Sequence, residues 1–137
     1  MKGKFTFLIR DEVLDFDDIS ERLRMKPESI TRRGQSIKKG GELQAPYDIW
    51  SFDVLITKGA EPEEALNNLL DKLNQNCKQI NSLIKQYKEV NISGYLRSDY
   101  GQMGLEISHV TMKKMVGLGL GLEIHILSYG GVITGDE

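Results

Sequence analysis

The sequence has few of the residues that most often carry chemistry in small proteins. Of its 137 residues, one is cysteine and two are histidine. A single cysteine cannot form an intramolecular disulfide, which fits a reducing compartment, and we therefore predict a cytoplasmic protein. Neither His109 nor His125 stands in a Cys/His cluster with the spacing of a zinc site, so we predict no metal site.

Long apolar runs are also missing. No run approaches the ~18 apolar residues that a membrane-spanning helix needs. The N-terminal segment MKGKFTFLIRDEV has an apolar stretch of five residues that Thr6 interrupts, which is too short for a signal peptide. The net charge of −2 does not favour binding to nucleic acid in general. We predict neither a membrane span nor a nucleic-acid partner.

The small net charge hides an uneven distribution. Residues 22–39 contain seven basic side chains and one acidic, a local charge of +6, so the rest of the chain carries −8. Residues 31–48 lack an apolar period and contain several glycines, which predicts a long polar loop. Loops of this length in compact domains are often functional, although a solvated loop is the alternative. The candidate partner-binding residues of this stretch are Arg32, Arg33, Lys38, Lys39 and Tyr47.

Alternation and periodicity predict the elements of the first half. FTFLIR and IWSFDVLI alternate in the manner of strands. DFDDISERLRMKPESI predicts a short helix with a capping box of Asp18 and Glu21, which ends at Pro27. Residues 62–88 repeat apolar side chains at intervals of three and four, which predicts one long amphipathic helix.

The second half predicts a hairpin, a helix and a strand. EVNISGYLR and MGLEIS, joined by SDYGQ, form the hairpin. SHVTMKKMVGLG is a helix capped by Ser108 or a residue near it, and LEIHILSYG is the last strand before a frayed tail at 129–137. We predict a single α+β domain over residues 1–137. It is a two-layer sandwich with a mixed or antiparallel sheet of about five strands and helices on one face. From the strand of Trp50 onward, the order is ferredoxin-like.

Three glycines at every second position in MVGLGLGLEIHIL invite comparison with nucleotide-binding loops. In those loops the glycine turn follows a strand and precedes a helix, so that the phosphates meet a helix N-terminus. Here the glycines follow a helix, and the negative end of its dipole repels phosphate. We interpret one of them as a left-handed helix C-cap and predict no bound cofactor.

A second hypothesis concerns a small-ligand site or enzyme pocket near Trp50, Glu123 and His125. Glu123 and His125 lie on the polar side of the last strand and are candidates for an acid–base pair, with a hydrogen-bonded surface pair as the alternative. No nucleophile elbow or Walker loop occurs in the sequence, and Cys77 falls within an apolar stripe. We therefore favour a protein that is not an enzyme.

Three stretches resemble the bacterial family known as domain of unknown function 4279. DFDDISERLRMKPESI is similar to the opening helix of the family, IWSFDVLI to its tryptophan-bearing strand, and ISHVTMKKMVGLGLGLEIHIL to its closing helix and strand. Phe16 stands where proline is usual, and Leu127 where an aromatic residue is common. The resemblance implies a small cytosolic α+β protein and supplies no catalytic residue.

Together these observations favour a non-enzymatic protein-binding module. By analogy with small families that bind toxins, its narrower form is an immunity-like inhibitor. The proposed contact surface is the positive loop with the adjoining sheet edge. An unpaired sheet edge would also allow a homodimer.

Overall fold

The computed structural model describes residues 1–37 and 43–131, which contain five strands and four helices. In chain order they are β1 (Lys2–Asp11), α1 (Phe16–Leu23), β2 (Ser29–Thr31), β3 (Asp48–Leu55), α2 (Pro62–Asn74), α3 (Cys77–Gln86), β4 (Glu89–Tyr100), α4 (His109–Leu118) and β5 (Leu122–Gly131).

The five strands form one open mixed sheet in the order β2-β3-β1-β4-β5. β1 pairs antiparallel with both β3 and β4, and the short β2 pairs antiparallel with β3. β4 and β5 are parallel, so α4 is the crossover between them. The predicted α+β sandwich with about five strands is confirmed. The sequence analysis did not include β2.

The core lies between the sheet and the helices. Phe5, Phe7 and Ile9 of β1 point to one side of the sheet and are fully buried. They belong to one apolar cluster with buried residues of all four helices, so in the described chain the helices cover this side only. None of the helices in the described ranges has the length and hydropathy to cross a membrane.

Local signals at helix ends are confirmed at α4 and partly at α1. Ser108 caps α4 by accepting from the Thr111 N–H, and Gly119 ends it in the left-handed conformation at φ 77°. α1 is capped by Asp15, whose carboxylate accepts from the Asp18 N–H, rather than by a capping box at Asp18. The helix ends at Arg24, whose backbone is left-handed at φ 53°. The helix therefore ends three residues before Pro27, the residue predicted to end it.

The long helix predicted over residues 62–88 is two helices. Asn76 lies between α2 and α3 with φ −126° and ψ 41°, outside helical geometry. Its Nδ2 donates to the carbonyl oxygen of Leu23 at 2.9 Å, at the end of α1. Since a helix leaves its last carbonyls without internal partners, this bond satisfies one of them. Both helices bury apolar side chains on the same side, so the three-and-four spacing continues across the break and does not reveal it.

The predicted hairpin is wrong. β4 continues to Tyr100 and lies between β1 and β5, and residues 102–107 form no strand, although Met103, Leu105 and Ile107 pack partly buried against the core. β5 occupies the side of β4 where a returning strand would pair. The ferredoxin-like order of the second half is therefore not formed. β5 also runs to Gly131, so residues 129–131 are strand, while 132–137 lie outside the described residues.

Candidate functional site

The sheet face opposite the helices, hereafter the open face, is the candidate functional site. Because side chains alternate along a strand, the pairing register sets which residues share this face. Its members on β1, β3, β4 and β5 are Lys2, Lys4, Thr6, Leu8, Arg10, Ile49, Ser51, Asp53, Leu55, Glu89, Asn91, Ser93, Tyr95, Arg97, Glu123, His125 and Leu127.

A chain of contacts crosses four strands of the open face. The Lys4 ammonium lies 3.2 Å from Asp53 Oδ2 and 5.7 Å from the Tyr95 ring centroid. Tyr95 stacks on His125 with ring centroids 5.0 Å apart and planes 9° apart. His125 Nε2 lies 3.2 Å from Glu123 Oε1, so the predicted neighbours are in contact. Both side chains are more than half exposed, a setting in which an ion pair contributes at most about 1 kcal/mol.

Trp50 does not belong to this face, and the predicted pocket of Trp50, Glu123 and His125 is not formed. Trp50 is fully buried on the helix side, where its Nε1 donates to Ser20 Oγ at 3.0 Å. Its ring meets Phe7 edge-on, with centroids 6.1 Å apart. β1 and β4 separate β3 from β5, and strand alternation directs Trp50 to the other face.

Two residues of the basic stretch contact aromatic or cationic groups elsewhere in the fold. The Arg32 guanidinium lies 4.9 Å from the Phe16 ring centroid. The ring of Tyr47 instead contacts Arg10 and Lys88, at 5.2 and 5.7 Å from its centroid. The Arg32 side chain and the Tyr47 ring therefore have different contact partners.

The remaining basic residues differ in availability. Arg33 is exposed, and its backbone N–H donates to Asp48 Oδ1 at 2.6 Å. Arg22 is engaged between α1 and α3, so its charge is not free for a partner. Its guanidinium donates to Asp18, Gln79, Ser82 and Gln86. Lys38 and Lys39 lie outside the described residues.

Two depressions on the open face adjoin at Lys4 and Tyr95. One of about 510 Å³ includes Leu55, Arg97 and His125 in its lining, and the other of about 550 Å³ lies over β1 and β3. Leu55 is 70% exposed, Leu127 55% and Tyr95 41%. The alternation pattern placed Leu55 and Leu127 on the polar side of their strands. An apolar residue in such a position was the available signal for this surface.

A buried acceptor without a partner lies on the same face. Asn91 Nδ2 donates to Glu89 Oε1 at 3.1 Å, but Asn91 Oδ1 is buried and accepts no hydrogen bond from the part of the chain that the structure describes. Buried polar atoms are nearly always paired in folded proteins.

Two further observations concern a carboxylate at the end of β1 and the capacity to bind a metal ion. Backbone N–H groups of Lys88 and Glu12 donate to the Asp11 carboxylate at 2.9 and 2.6 Å and lower the pKa of Asp11. Within residues 1–37 and 43–131, no three His, Cys, Asp or Glu side chains are grouped so that they could hold a metal ion.

Comparison with known proteins places the chain in a family. No curated protein and no solved structure matches it. The model of the family described as a domain of unknown function (DUF4279) matches residues 1–129. This match covers nearly the whole chain, including the helices and strands whose sequences carry the resemblance. The chain therefore belongs to the DUF4279 family.

Proposed function

We propose that the protein is a non-enzymatic binding module that receives a protein partner on the open face. One observation carries this proposal: Leu55, Tyr95 and Leu127 stand exposed beside Lys4 and Arg97, on a sheet face that no helix of the described chain covers. Aromatic and arginine side chains are enriched at protein interfaces, and apolar residues form their centres.

The size of the open face supports a protein partner. Four strands about 4.8 Å apart and about 30 Å long, together with the three-residue β2, give an area of about 600 Å². Stable protein interfaces bury about 800 Å² on each partner. Small-ligand sites instead enclose most of their ligand, whereas the two depressions here are open to solvent.

The charges of the open face favour a particular partner chemistry. Three acidic groups have a basic neighbour on the same face: Asp53 lies beside Lys4, Glu89 beside Arg10 and Glu123 beside His125. Arg97, by contrast, has no ion pair within the described ranges. We expect a partner surface that is apolar at its centre and acidic at its rim.

Site-specific photo-crosslinking tests this proposal. A photoreactive phenylalanine derivative replaces Tyr95 on the open face or, as a control, Val13, which is 71% exposed between β1 and α1. We expect a partner that is captured from the native host at Tyr95 and not at Val13. The captured protein is then purified and its affinity for the unmodified chain is measured.

Charge and polarity variants complete the test. Arg97→Glu and Leu127→Asp are expected to weaken the purified complex on the order of tenfold or more, with little change in melting temperature. Lys78→Glu, on the exposed side of α3, is the matched control and is expected to leave the affinity unchanged. Equal capture at Tyr95 and Val13, or an affinity that neither open-face variant alters, would refute the proposal.

A further inference from the structure

We propose that two copies of the chain associate about a two-fold axis through the free edge of β5 and the adjacent flank of α4. This inference does not rest on the proposed function, because the pairing groups are backbone atoms of the sheet edge, although Glu123, His125 and Leu127 of the open face border that edge. The occupant of the edge is a second copy of this chain.

The backbone of β5 is available on its outer side. The Ile92 N–H donates to the Gly121 carbonyl, and Ile92 is the register partner of Leu122. Successive residues of an extended strand direct their N–H and C=O groups to opposite sides, so odd-numbered residues of β5 bond to β4 and even-numbered residues face outward. β5 pairs with no other strand of the described chain. The outward residues are Leu122, Ile124, Ile126 and Ser128, which together carry eight backbone groups for pairing.

The two edges of the sheet differ in protection. Natural edge strands are kept from pairing by short length, proline, lysine or bulges. The edge formed by β2 has only three residues, Ser29–Thr31. β5 has ten residues and contains neither proline nor lysine, and its pairing with β4 stays regular to Ser128. Its side chains Ile126 and Tyr129 are 58% and 61% exposed.

α4 adds an apolar flank at the same edge. Lys114 contacts Asp71 at 2.9 Å and Asn67 at 3.0 Å, both on α2, and so marks the flank of α4 that faces α2. At 100° per residue, Met112 and Val116 lie about 160–200° around the helix from Lys114. They are 51% and 79% exposed. α2 packs on β1 and β3, and α4 is followed directly by β5, so the proposal places the flank turned away from α2 on the side of β5.

The edge is complementary to itself in one antiparallel register. With the two-fold axis at His125, Leu122 pairs with Ser128 of the second copy and Ile124 with Ile126. All eight outward backbone groups of each copy are then paired. Glu123 lies opposite Leu127 of the second copy, so no two carboxylates face each other across the axis. The product is a continuous ten-stranded sheet with the α4 flanks on either side of the axis.

Sedimentation velocity of the full chain at concentrations between about 1 and 200 μM tests the association. A dimer with a modest interface of this kind is expected to be populated in that range. We expect a concentration-dependent dimer. Ile126→Lys and Val116→Lys are expected to raise its dissociation constant on the order of tenfold or more. Val13→Lys, at a 71% exposed position remote from the edge, is the matched control. Circular dichroism melts establish that each variant is folded.

Disulfide crosslinking tests the register. In a Cys77→Ser background, His125→Cys places two thiols opposite each other, at the ~4.5 Å Cα separation of a non-hydrogen-bonded pair. Mild oxidation is expected to link the copies through this residue and not through Glu123→Cys, which faces Leu127 of the other copy. A chain that is monomeric throughout, a dimer that survives Ile126→Lys, or preferential crosslinking at Glu123→Cys would each overturn the inference.

Discussion

Removing the hydroxyl of Ser20 tests the placement of Trp50 in the core. Trp50 is fully buried and its indole N–H donates to Ser20 Oγ at 3.0 Å. Ser20→Ala leaves the indole in place and removes its acceptor. The indole N–H then loses its acceptor while the Trp50 side chain stays fully buried.

The expected magnitude follows from the cost of an unpaired buried donor. Such a group costs about 1–3 kcal/mol, and that is the loss we expect in the free energy of unfolding. For a chain of this length, each kcal/mol lowers the melting temperature by about 3–5 °C. The assay is urea unfolding followed by circular dichroism. Ser51→Ala is the control, since the Ser51 hydroxyl makes only an exposed contact of 3.4 Å with the Ser29 carbonyl oxygen.

Two results would refute this reasoning. One is a loss in Ser20→Ala no larger than the loss in Ser51→Ala. The other is rapid quenching of the tryptophan fluorescence by acrylamide in the folded protein, because a fully buried indole is shielded from the quencher. Rapid quenching would show that Trp50 is accessible to solvent, as the predicted pocket near Trp50 requires.

Three further predictions concern backbone geometry, a helix junction and acid stability. Gly3→Ala should lower the free energy of unfolding by at least about 3 kcal/mol, because Gly3 has φ 144° and a Cβ there would lie 1.9 Å from the carbonyl oxygen of Tyr95 in β4. Gly104→Ala is the control, since a Cβ at Gly104 has open space around it, and it should be near neutral in the same urea unfolding assay. Asn76→Ala should destabilise by about 1–2 kcal/mol, measured by urea unfolding, because the α1 carbonyl that it binds loses its donor; a neutral result would contradict that role. The pKa of Asp11 is lowered from 3.8, so its contribution to stability is present above that value and is lost as the pH falls through the lower folded pKa. Asp11→Asn should therefore flatten the stability profile below about pH 5, and an unchanged profile would contradict the linkage.

Short-range signals predicted most of the elements and several of their ends. The alternation around Phe5 and Phe7 and the glycine that ends α4 depend on backbone hydrogen bonds and burial within a few residues, so the local sequence contains their cause. The aspartates before α1 likewise predicted a helix start. The capping residue was misassigned because Asp15 and Asp18 offer the same chemistry three residues apart, and only the path of the chain selects between them.

The candidate site divides in the same way. The contact between Glu123 and His125 follows from their spacing on one strand, and the structure places them 3.2 Å apart. The stacking of Tyr95 on His125 depends on the parallel pairing of β4 with β5, and no local pattern in the sequence specifies that pairing. For the same reason, the sequence did not separate Trp50 from His125.

By itself, the sequence determined the α+β class, the family resemblance and the apolar stripe that the helices bury, because these follow from composition and from periods of two and three to four residues. The tertiary structure decided which strands are neighbours, where the helix over 62–88 breaks, and which side chains share the open face. These features depend on contacts between residues far apart in the chain, such as Asn76 with Leu23 and Trp50 with Ser20. Such contacts arise only when the packing of the whole sheet against the helices brings the partners together.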